Sequence, residues 1–170
     1  MKKTQVGIVG CGMISDTYFK ASQKFRMIEV VACSDIIPER AQAKTELYGV
    51  PSMSNDELFA LPDVEIVLNL TPPQVHSQIA MDTLNAGKNA YSEKPFGVDG
   101  NDAARVIALG QSKGLRVGCA PDTFLGGGQQ TARKILDDGW MGKPLSGTAI
   151  VMGRGPEKGP QAPFFYDYGA

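Results

Sequence analysis

Short apolar runs alternate with longer stretches of helical spacing between residues 4 and 119. The apolar runs predict strands over Thr4–Val9, Glu29–Ser34, Ser52–Ser54 (short and weak), Glu65–Leu70, Asn89–Ser92 and Leu115–Cys119. The stretches between them predict helices over Met13–Lys24, Pro38–Tyr48, Asp56–Leu61, Gln74–Ala86 and Gly100–Lys113. This alternation favours an α/β fold in which helices cover both faces of a parallel sheet.

The pattern changes after residue 122. A helix is predicted over Phe124–Asp138 and a new strand over Leu145–Met152, followed by a Gly- and Pro-rich stretch. An aromatic group then comes close to the last residue: Phe164, Phe165, Tyr166 and Tyr168. Because a single strand cannot bury both of its faces, we interpret residues 1–122 as one domain and residues 123–170 as the truncated start of a second, α/β domain.

Composition narrows the classes of partner. The 170 residues are 42% hydrophobic and 21% charged, with a formal net charge of -1. This near-neutral balance gives no electrostatic reason to expect nucleic acid or an anionic membrane, and no apolar run approaches the ~18–20 residues of a membrane span. The three cysteines Cys11, Cys33 and Cys119 fit neither a metal motif nor a disulfide framework. They predict free thiols in a reducing cytoplasm and no metal site.

A glycine-rich turn joins the first predicted strand to the first helix. Its sequence is Gly10-Cys11-Gly12-Met13-Ile14-Ser15. In a dinucleotide-binding turn the first glycine permits a tight bend and the second lets the backbone approach a pyrophosphate, which the helix N-terminus then attracts. The third position is Ser15 instead of glycine, so the motif is imperfect, and a generic Gly-rich turn remains the alternative.

A carboxylate follows the second predicted strand. Asp35 lies 23 positions after Gly12 (35 − 12), close to the spacing at which dinucleotide-binding folds place an acid on the adenosine ribose. Such an acid repels the 2′-phosphate of NADP, and the next residues, Ile36 and Ile37, offer it no positive charge. The sequence therefore predicts a Rossmann-type domain that binds NAD rather than NADP, although Arg40 lies one turn further. The alternative role for Asp35 is to cap the following helix.

Two more turns lie where strands are predicted to end. Thr71-Pro72-Pro73 follows Glu65–Leu70, and the carboxyl ends of strands are where open α/β sheets bind ligands. We expect this turn to line the cofactor, with a simple strand-to-helix turn as the alternative. His76 lies in the first turn of the next helix, where the positive helix end disfavours its protonation. We include it among the candidate cofactor residues, and a structural role is the competing interpretation.

Glu93-Lys94-Pro95 follows the strand Asn89–Ser92. A lysine at this edge of the sheet would point into the crevice that holds the nicotinamide. There it can hydrogen-bond a substrate hydroxyl and help to move its proton during hydride transfer. Lys94 is therefore the candidate catalytic residue, Glu93 is a candidate cofactor residue, and a solvated loop lysine is the alternative.

Several of these motifs together resemble a known family. VGIVGCGMIS, Asp35, TPPQVH, AGK at residues 86–88 and SEKPFG are similar to the glucose–fructose oxidoreductase/inositol dehydrogenase family, often called Gfo/Idh/MocA. The resemblance runs from about Val6 to Lys143. It implies a Rossmann domain, a second domain on an open antiparallel sheet, and NAD(P)-dependent oxidation or reduction of sugars, cyclitols and related polyols. It also implies that Lys94 contacts substrate and nicotinamide, and that the following bond to Pro95 is often cis.

The resemblance leaves part of the machinery outside this stretch. The family's remaining catalytic groups lie in the second domain, so we expect residues 1–170 alone to be inactive. Separately, we expect the full-length form to be a homo-oligomer in the cytoplasm. Asp122 lies in a segment that lines the family's active site, where it is a candidate substrate contact or a helix cap. Two other functions stay open: a non-catalytic dinucleotide-binding or sensor module, and an NAD-dependent glycosidase of the same family.

Overall fold

The computed structural model describes residues 2–120, 123–148 and 150. The chain divides into two compact units between residues 120 and 121. Asp122 and the predicted aromatic group near residue 170 lie outside the described residues. The candidate site residues that the structure does describe all belong to the first unit.

Five strands form the sheet of the first unit: β1 (Thr4–Val9), β2 (Ile28–Ser34), β3 (Ile66–Asn69), β4 (Asn89–Ser92) and β5 (Val117–Cys119). All pairings are parallel, in the order β2-β1-β3-β4-β5. The chain moves outward from β1 to β2 and then crosses to β3, so the strand order reverses between β1 and β3. Their carboxyl ends align, with Val9 paired to Asn69 and Asn69 to Ser92.

The helices are α1 (Ser15–Ser22), α2 (Pro38–Tyr48), α3 (Asn55–Ala60), α4 (His76–Asn85), α5 (Gly100–Ser112) and α6 (Gly127–Asp137). Short 3₁₀ turns, Pro73–Val75 and Thr123–Leu125, precede α4 and α6. Local signals set several ends. Pro38 opens α2, and Gly49, with φ of 71°, ends it. A capping box between Ser54 and Glu57 starts α3.

The core lies on both faces of the sheet. Ile8 and Val9 are adjacent in β1 and almost fully buried, yet they belong to different apolar clusters. Side chains alternate across a strand, so the two clusters cover opposite faces. Phe19 of α1 anchors one cluster and Leu58 of α3 the other. The prediction of a parallel sheet covered on both sides is confirmed.

Several predicted elements differ from the structure in their bounds or in kind. The first helix begins at Ser15 instead of Met13, because the glycine turn occupies the preceding residues. The weak strand Ser52–Ser54 is a single bridge from Ser52 to Cys33. The last helix begins at Gly127 instead of Phe124, and a 3₁₀ turn over Thr123–Leu125 precedes it. The strand predicted over Leu145–Met152 is wrong for residues 145–148 and 150, which are not paired, and its remainder lies outside the described residues.

Candidate active site

The glycine turn between β1 and α1 requires glycine at its first position. Gly10 has a φ of +99°, a conformation that side-chain-bearing residues rarely adopt. A Cβ at Gly10 would lie 2.7 Å from the carbonyl carbon of Leu70 and 2.8 Å from the amide nitrogen of Thr71. The turn after β1 is therefore packed directly against the end of β3, at the point where the strand order reverses.

The second half of the turn is open. A Cβ at Gly12 would meet no atom within 4 Å. Within residues 2–120, 123–148 and 150, no group accepts a hydrogen bond from the amides of Gly12, Met13 or Ile14. Ser15 is fully buried and its Oγ donates a 2.6 Å hydrogen bond to the Gly12 carbonyl. The serine at the third motif position is thus accommodated, and three amides beside it have no partner.

Asp35 lies against the same turn. Its Oδ2 accepts a 2.7 Å hydrogen bond from the Cys11 amide, and its Oδ1 accepts one of 2.8 Å from the Ile37 amide. The residue that caps α2 is Ile37, so Asp35 is not the cap that the alternative interpretation required. Ile36 is 94% exposed beside it. The contact between Asp35 and the glycine turn is therefore the one that their spacing along the chain predicts.

The turn after β3 is held by a buried asparagine. Asn69 is 1% exposed, and its Oδ1 accepts hydrogen bonds from Thr71 Oγ1 (2.6 Å) and from the Thr71 amide (3.3 Å). Its Nδ2 donates to Ser92 Oγ at 3.2 Å, which ties the end of β3 to the end of β4. Pro72 is extended and Pro73 opens the 3₁₀ turn. Hydrogen bonds of one buried side chain therefore join the turn after β3 to the ends of β3 and β4.

His76 is buried between two turns. It is 1% exposed, and its ring nitrogens both lie close to backbone carbonyls. Nδ1 is 2.6 Å from the Pro95 oxygen and Nε2 is 2.7 Å from the Thr71 oxygen. The structure thus places the imidazole within the protein, with its polar atoms already in contact with main-chain groups.

The turn after β4 contains the candidate lysine. Tyr18 of α1 donates a 2.8 Å hydrogen bond to Glu93 Oε1, and the Lys94 amide donates one of 2.9 Å to Glu93 Oε2. The peptide bond from Lys94 to Pro95 is cis, as the family resemblance implies. The Lys94 side chain is exposed, and no described residue is within bonding distance of its Nζ. Its backbone is therefore anchored while its ammonium is available to a ligand.

The thiols near the turn are structural. Cys11 and Cys33 are buried and free, as predicted, and Cys119 is free and partly buried. A hydrogen bond with Cys33, together with burial, raises the pKa of the Cys11 thiol. Burial likewise raises the pKa of Cys119. A protonated, buried thiol is a weak nucleophile, so the raised pKa values of Cys11 and Cys119 favour a packing role for these two residues.

Sequence reasoning missed two groups that support the site. Asn69 was detectable as the one polar residue in an otherwise apolar strand. Asp16 of α1 had no such signal: its Oδ1 accepts hydrogen bonds from Lys44 Nζ (2.7 Å) and Tyr48 OH (2.9 Å), both in α2. The Lys44 ammonium, followed by the Tyr48 hydroxyl, lowers the pKa of Asp16. These bonds fix α1, and with it the glycine turn, against α2.

The described residues contain no group of three or more His, Cys, Asp or Glu side chains that could hold a metal ion. None of their helices is long and apolar enough to cross a membrane.

A doubly wound parallel sheet with a glycine turn at its reversal point and an acid after β2 defines a dinucleotide-binding Rossmann fold. Residues 4–120 match the model of an oxidoreductase family described as having an NAD-binding Rossmann fold. The chain is 34% identical over 148 residues to inositol 2-dehydrogenase of Salmonella paratyphi B, covering 83% of this chain and 44% of that protein. It is 32% identical over 153 residues to inositol 2-dehydrogenase/D-chiro-inositol 3-dehydrogenase of Lactiplantibacillus plantarum, covering 84% and 42%.

A solved dehydrogenase structure is also similar to this chain. The WlbA dehydrogenase from Bordetella pertussis, in complex with NADH and UDP-GlcNAcA, is 26% identical with a TM-score of 0.78 and covers 84% of this chain and 42% of that one. The chain belongs to the Gfo/Idh/MocA family, and the part that matches is the family's NAD-binding domain. It spans less than half the length of these relatives.

Proposed function

We propose that the protein is an NAD-dependent oxidoreductase that oxidises a CH–OH group of a cyclitol, sugar or related polyol. The observation that carries this proposal is the open side of the glycine turn. Within the described residues, a Cβ at Gly12 would have free space, the amides of Gly12, Met13 and Ile14 have no acceptor, and the Asp35 carboxylate bonds the adjacent Cys11 amide. A pyrophosphate and an adjoining ribose need this combination of unpaired N–H groups and a neighbouring acid.

The residues available to hold the cofactor follow the aligned strand ends. Gly10, Gly12, Met13 and Ile14 would hold the pyrophosphate, and Asp35 and Ile36 the adenosine ribose. The nicotinamide end would lie against the turns after β3 and β4: Thr71, Pro72, Pro73, Glu93 and Lys94. A carboxylate at Asp35 with exposed, uncharged Ile36 beside it supports NAD over NADP.

NAD, when bound, supplies the hydride acceptor. Lys94 is the residue we assign to the substrate oxygen, because its Nζ has no partner in the described residues while its backbone is anchored by Glu93. It would hydrogen-bond the reacting hydroxyl, orient it, and relay to solvent the proton that the hydroxyl loses. The names of the relatives, inositol 2-dehydrogenases, support a cyclitol as substrate.

Further parts of the proposal concern the whole protein. We place the boundary of the cofactor domain at residue 122, with a substrate domain beginning at residue 123 and Asp122 as a substrate contact. The second domain would supply the remaining groups that bind the polyol. We further propose a homo-oligomer in the cytoplasm.

The test is turnover of myo-inositol by the full-length protein, followed through the absorbance of NADH. Lys94→Met removes the ammonium and keeps the aliphatic chain. Lys113→Met is the matched control, because Lys113 is also exposed but precedes β5, at the amino ends of the strands. We expect Lys94→Met to lower kcat/KM by about 100-fold or more and to change NADH affinity by less than about threefold, since a positioned acid–base group contributes on this scale.

Three outcomes would count against the proposal. Equal rates for Lys94→Met and Lys113→Met would remove Lys94 from the chemistry. Release of a free sugar from a glycoside without net NADH would identify a redox-neutral hydrolase. Tight NADH binding without turnover of any polyol tested would instead support a non-catalytic binding module.

A further inference from the structure

His76 contacts two turns that its own helix does not contain. Its Nδ1 lies 2.6 Å from the carbonyl oxygen of Pro95, and its Nε2 lies 2.7 Å from the carbonyl oxygen of Thr71. Carbonyl oxygens only accept hydrogen bonds, so whichever ring nitrogen carries a proton donates to the carbonyl oxygen that it faces. One imidazole therefore joins the turn after β3 to the turn after β4.

These two turns carry the groups assigned above to the nicotinamide and to the substrate. They leave the sheet side by side, because Asn69 at the end of β3 pairs with Ser92 at the end of β4. Thr71 follows the first of these residues by two positions, and Pro95 is the direct neighbour of Lys94. The distance between the turns sets where the Lys94 ammonium lies relative to the cofactor.

Each turn also has an anchor of its own, but these anchors are local. Thr71 is held by Asn69, two residues before it, and the Lys94 amide by Glu93, one residue before it. The bonds between β3 and β4 end at the strands, where the Glu93 amide donates to the Asn69 carbonyl. Beyond the strand ends, His76 is the group in the described residues that hydrogen-bonds both turns.

We propose that His76 is a positioning residue that holds the Lys94–Pro95 turn at a set distance from the Thr71 turn. The proposal rests on the function proposed above, because it gives these turns to substrate and cofactor. His76 itself touches neither, since it is 1% exposed and both of its nitrogens already face main-chain oxygens. Misplacement of a catalytic group by about 1 Å can lower a rate by about 100-fold, so this spacing matters.

Two conservative substitutions separate the two contacts. An asparagine amide nitrogen reaches the position of the imidazole Nδ1, and a glutamine amide nitrogen reaches that of Nε2. His76→Asn therefore keeps a side-chain nitrogen opposite Pro95 and leaves none opposite Thr71, whereas His76→Gln does the reverse. His76→Phe keeps a buried ring and removes both nitrogens.

Thr83→Val is the matched control. Thr83 lies on the same helix, is fully buried, and its Oγ1 has no hydrogen-bond partner among the described residues. Its replacement tests a buried polar-to-apolar change in α4 that leaves both turns untouched. All variants are compared in the full-length protein by thermal unfolding, NADH affinity, kcat, KM for NAD, and amide hydrogen exchange.

We expect the two contacts to affect different constants. His76→Asn should raise the KM for NAD and weaken NADH binding about tenfold with kcat nearly unchanged, because the loss of one buried hydrogen bond is worth about this factor. His76→Gln should lower kcat about tenfold with nearly unchanged NADH affinity. Amide exchange should accelerate at Gln74 and Val75 in the first variant and at Phe96 and Gly97 in the second.

The opposite results would overturn the proposal. If His76→Asn, His76→Gln and Thr83→Val share the same kinetic constants and exchange rates, His76 only fills space. If His76→Phe fails to fold, His76→Asn and His76→Gln still test whether His76 positions the two turns. If the wild-type protein binds no NADH, the proposed function fails, while the exchange pattern of the two turns continues to test the role of His76 separately.

Discussion

Gly12→Ala is the substitution that most directly tests how this protein binds its cofactor. The added methyl group would enter open space, with no atom within 4 Å, and Gly12 has no positive φ that an alanine would resist. The fold should therefore tolerate it, and the free energy of unfolding should stay the same or rise by up to about 1 kcal/mol, because alanine restricts the unfolded chain. In the proposed complex, the same methyl group would stand between the amides of Gly12, Met13 and Ile14 and the pyrophosphate.

The expected loss of NADH affinity follows from the free energy of the hydrogen bonds that those amides would donate. A hydrogen bond to a charged group contributes about 1.5–3 kcal/mol, and about 1.4 kcal/mol changes a dissociation constant tenfold. Displacing a pyrophosphate from one such amide predicts that Gly12→Ala weakens NADH binding by about 10- to 100-fold. Because the fold would be intact, the weaker NADH binding would result from the change at the binding site and not from unfolding.

Gly10→Ala provides the contrast. Its Cβ would lie 2.7 Å from the Leu70 carbonyl carbon, against the 3.4 Å at which ordinary contact begins, so the two turns must separate by about 0.7 Å (3.4 − 2.7). Strain at φ of +99° and overpacking each cost about 1–3 kcal/mol. The sum of about 2–6 kcal/mol is a large share of the ~5–15 kcal/mol that stabilises a domain.

The assay pairs urea unfolding with NADH fluorescence titration for wild type, Gly12→Ala and Gly10→Ala. We expect Gly12→Ala to lose affinity without losing stability, and Gly10→Ala to lose stability. NADH affinity unchanged in a folded Gly12→Ala protein would refute the placement of the pyrophosphate at this turn. Equal stability of Gly10→Ala and wild type would refute the steric argument.

Two other predictions concern cofactor choice and pH. Asp35→Ser combined with Ile36→Arg should shift the ratio of kcat/KM from NAD toward NADP by about 100-fold, because a 2′-phosphate then meets a cation instead of a carboxylate; an unchanged ratio would place the ribose elsewhere. Asp16→Asn should lower the free energy of unfolding at neutral pH by about 0.5–1 kcal/mol, a modest value because the Asp16 side chain is 39% exposed. Lys44 and Tyr48 lower the folded pKa of Asp16 below its ordinary 3.8, so its stabilisation is complete above 3.8 and disappears as the pH falls through the folded pKa. Unfolding curves of both proteins from neutral to acid pH would test this, and a gap that persists in acid would contradict it.

Local chemistry explains what could be predicted early. The helix Pro38–Tyr48 was predicted with the bounds that the structure has, because a proline at its start and a glycine after its end are signals carried by neighbouring residues. The strand Asn89–Ser92 was likewise predicted with its observed bounds. Predictions without such local signals were less accurate. The strand predicted over Leu145–Met152 rested on an apolar run alone, and in the residues described it has no neighbouring strand to pair with.

By itself, the sequence determined the alternation of strands and helices, the glycine turn, and the acid placed to meet it, because each depends on the backbone within a few residues or on spacing along one βαβ unit. The tertiary structure alone decided which distant groups meet. It buried His76 between two turns and joined Asp16 to α2, although no sequence signal next to either residue predicts these contacts. Such contacts depend on how the sheet orders its strands, and that order is a property of the folded chain as a whole.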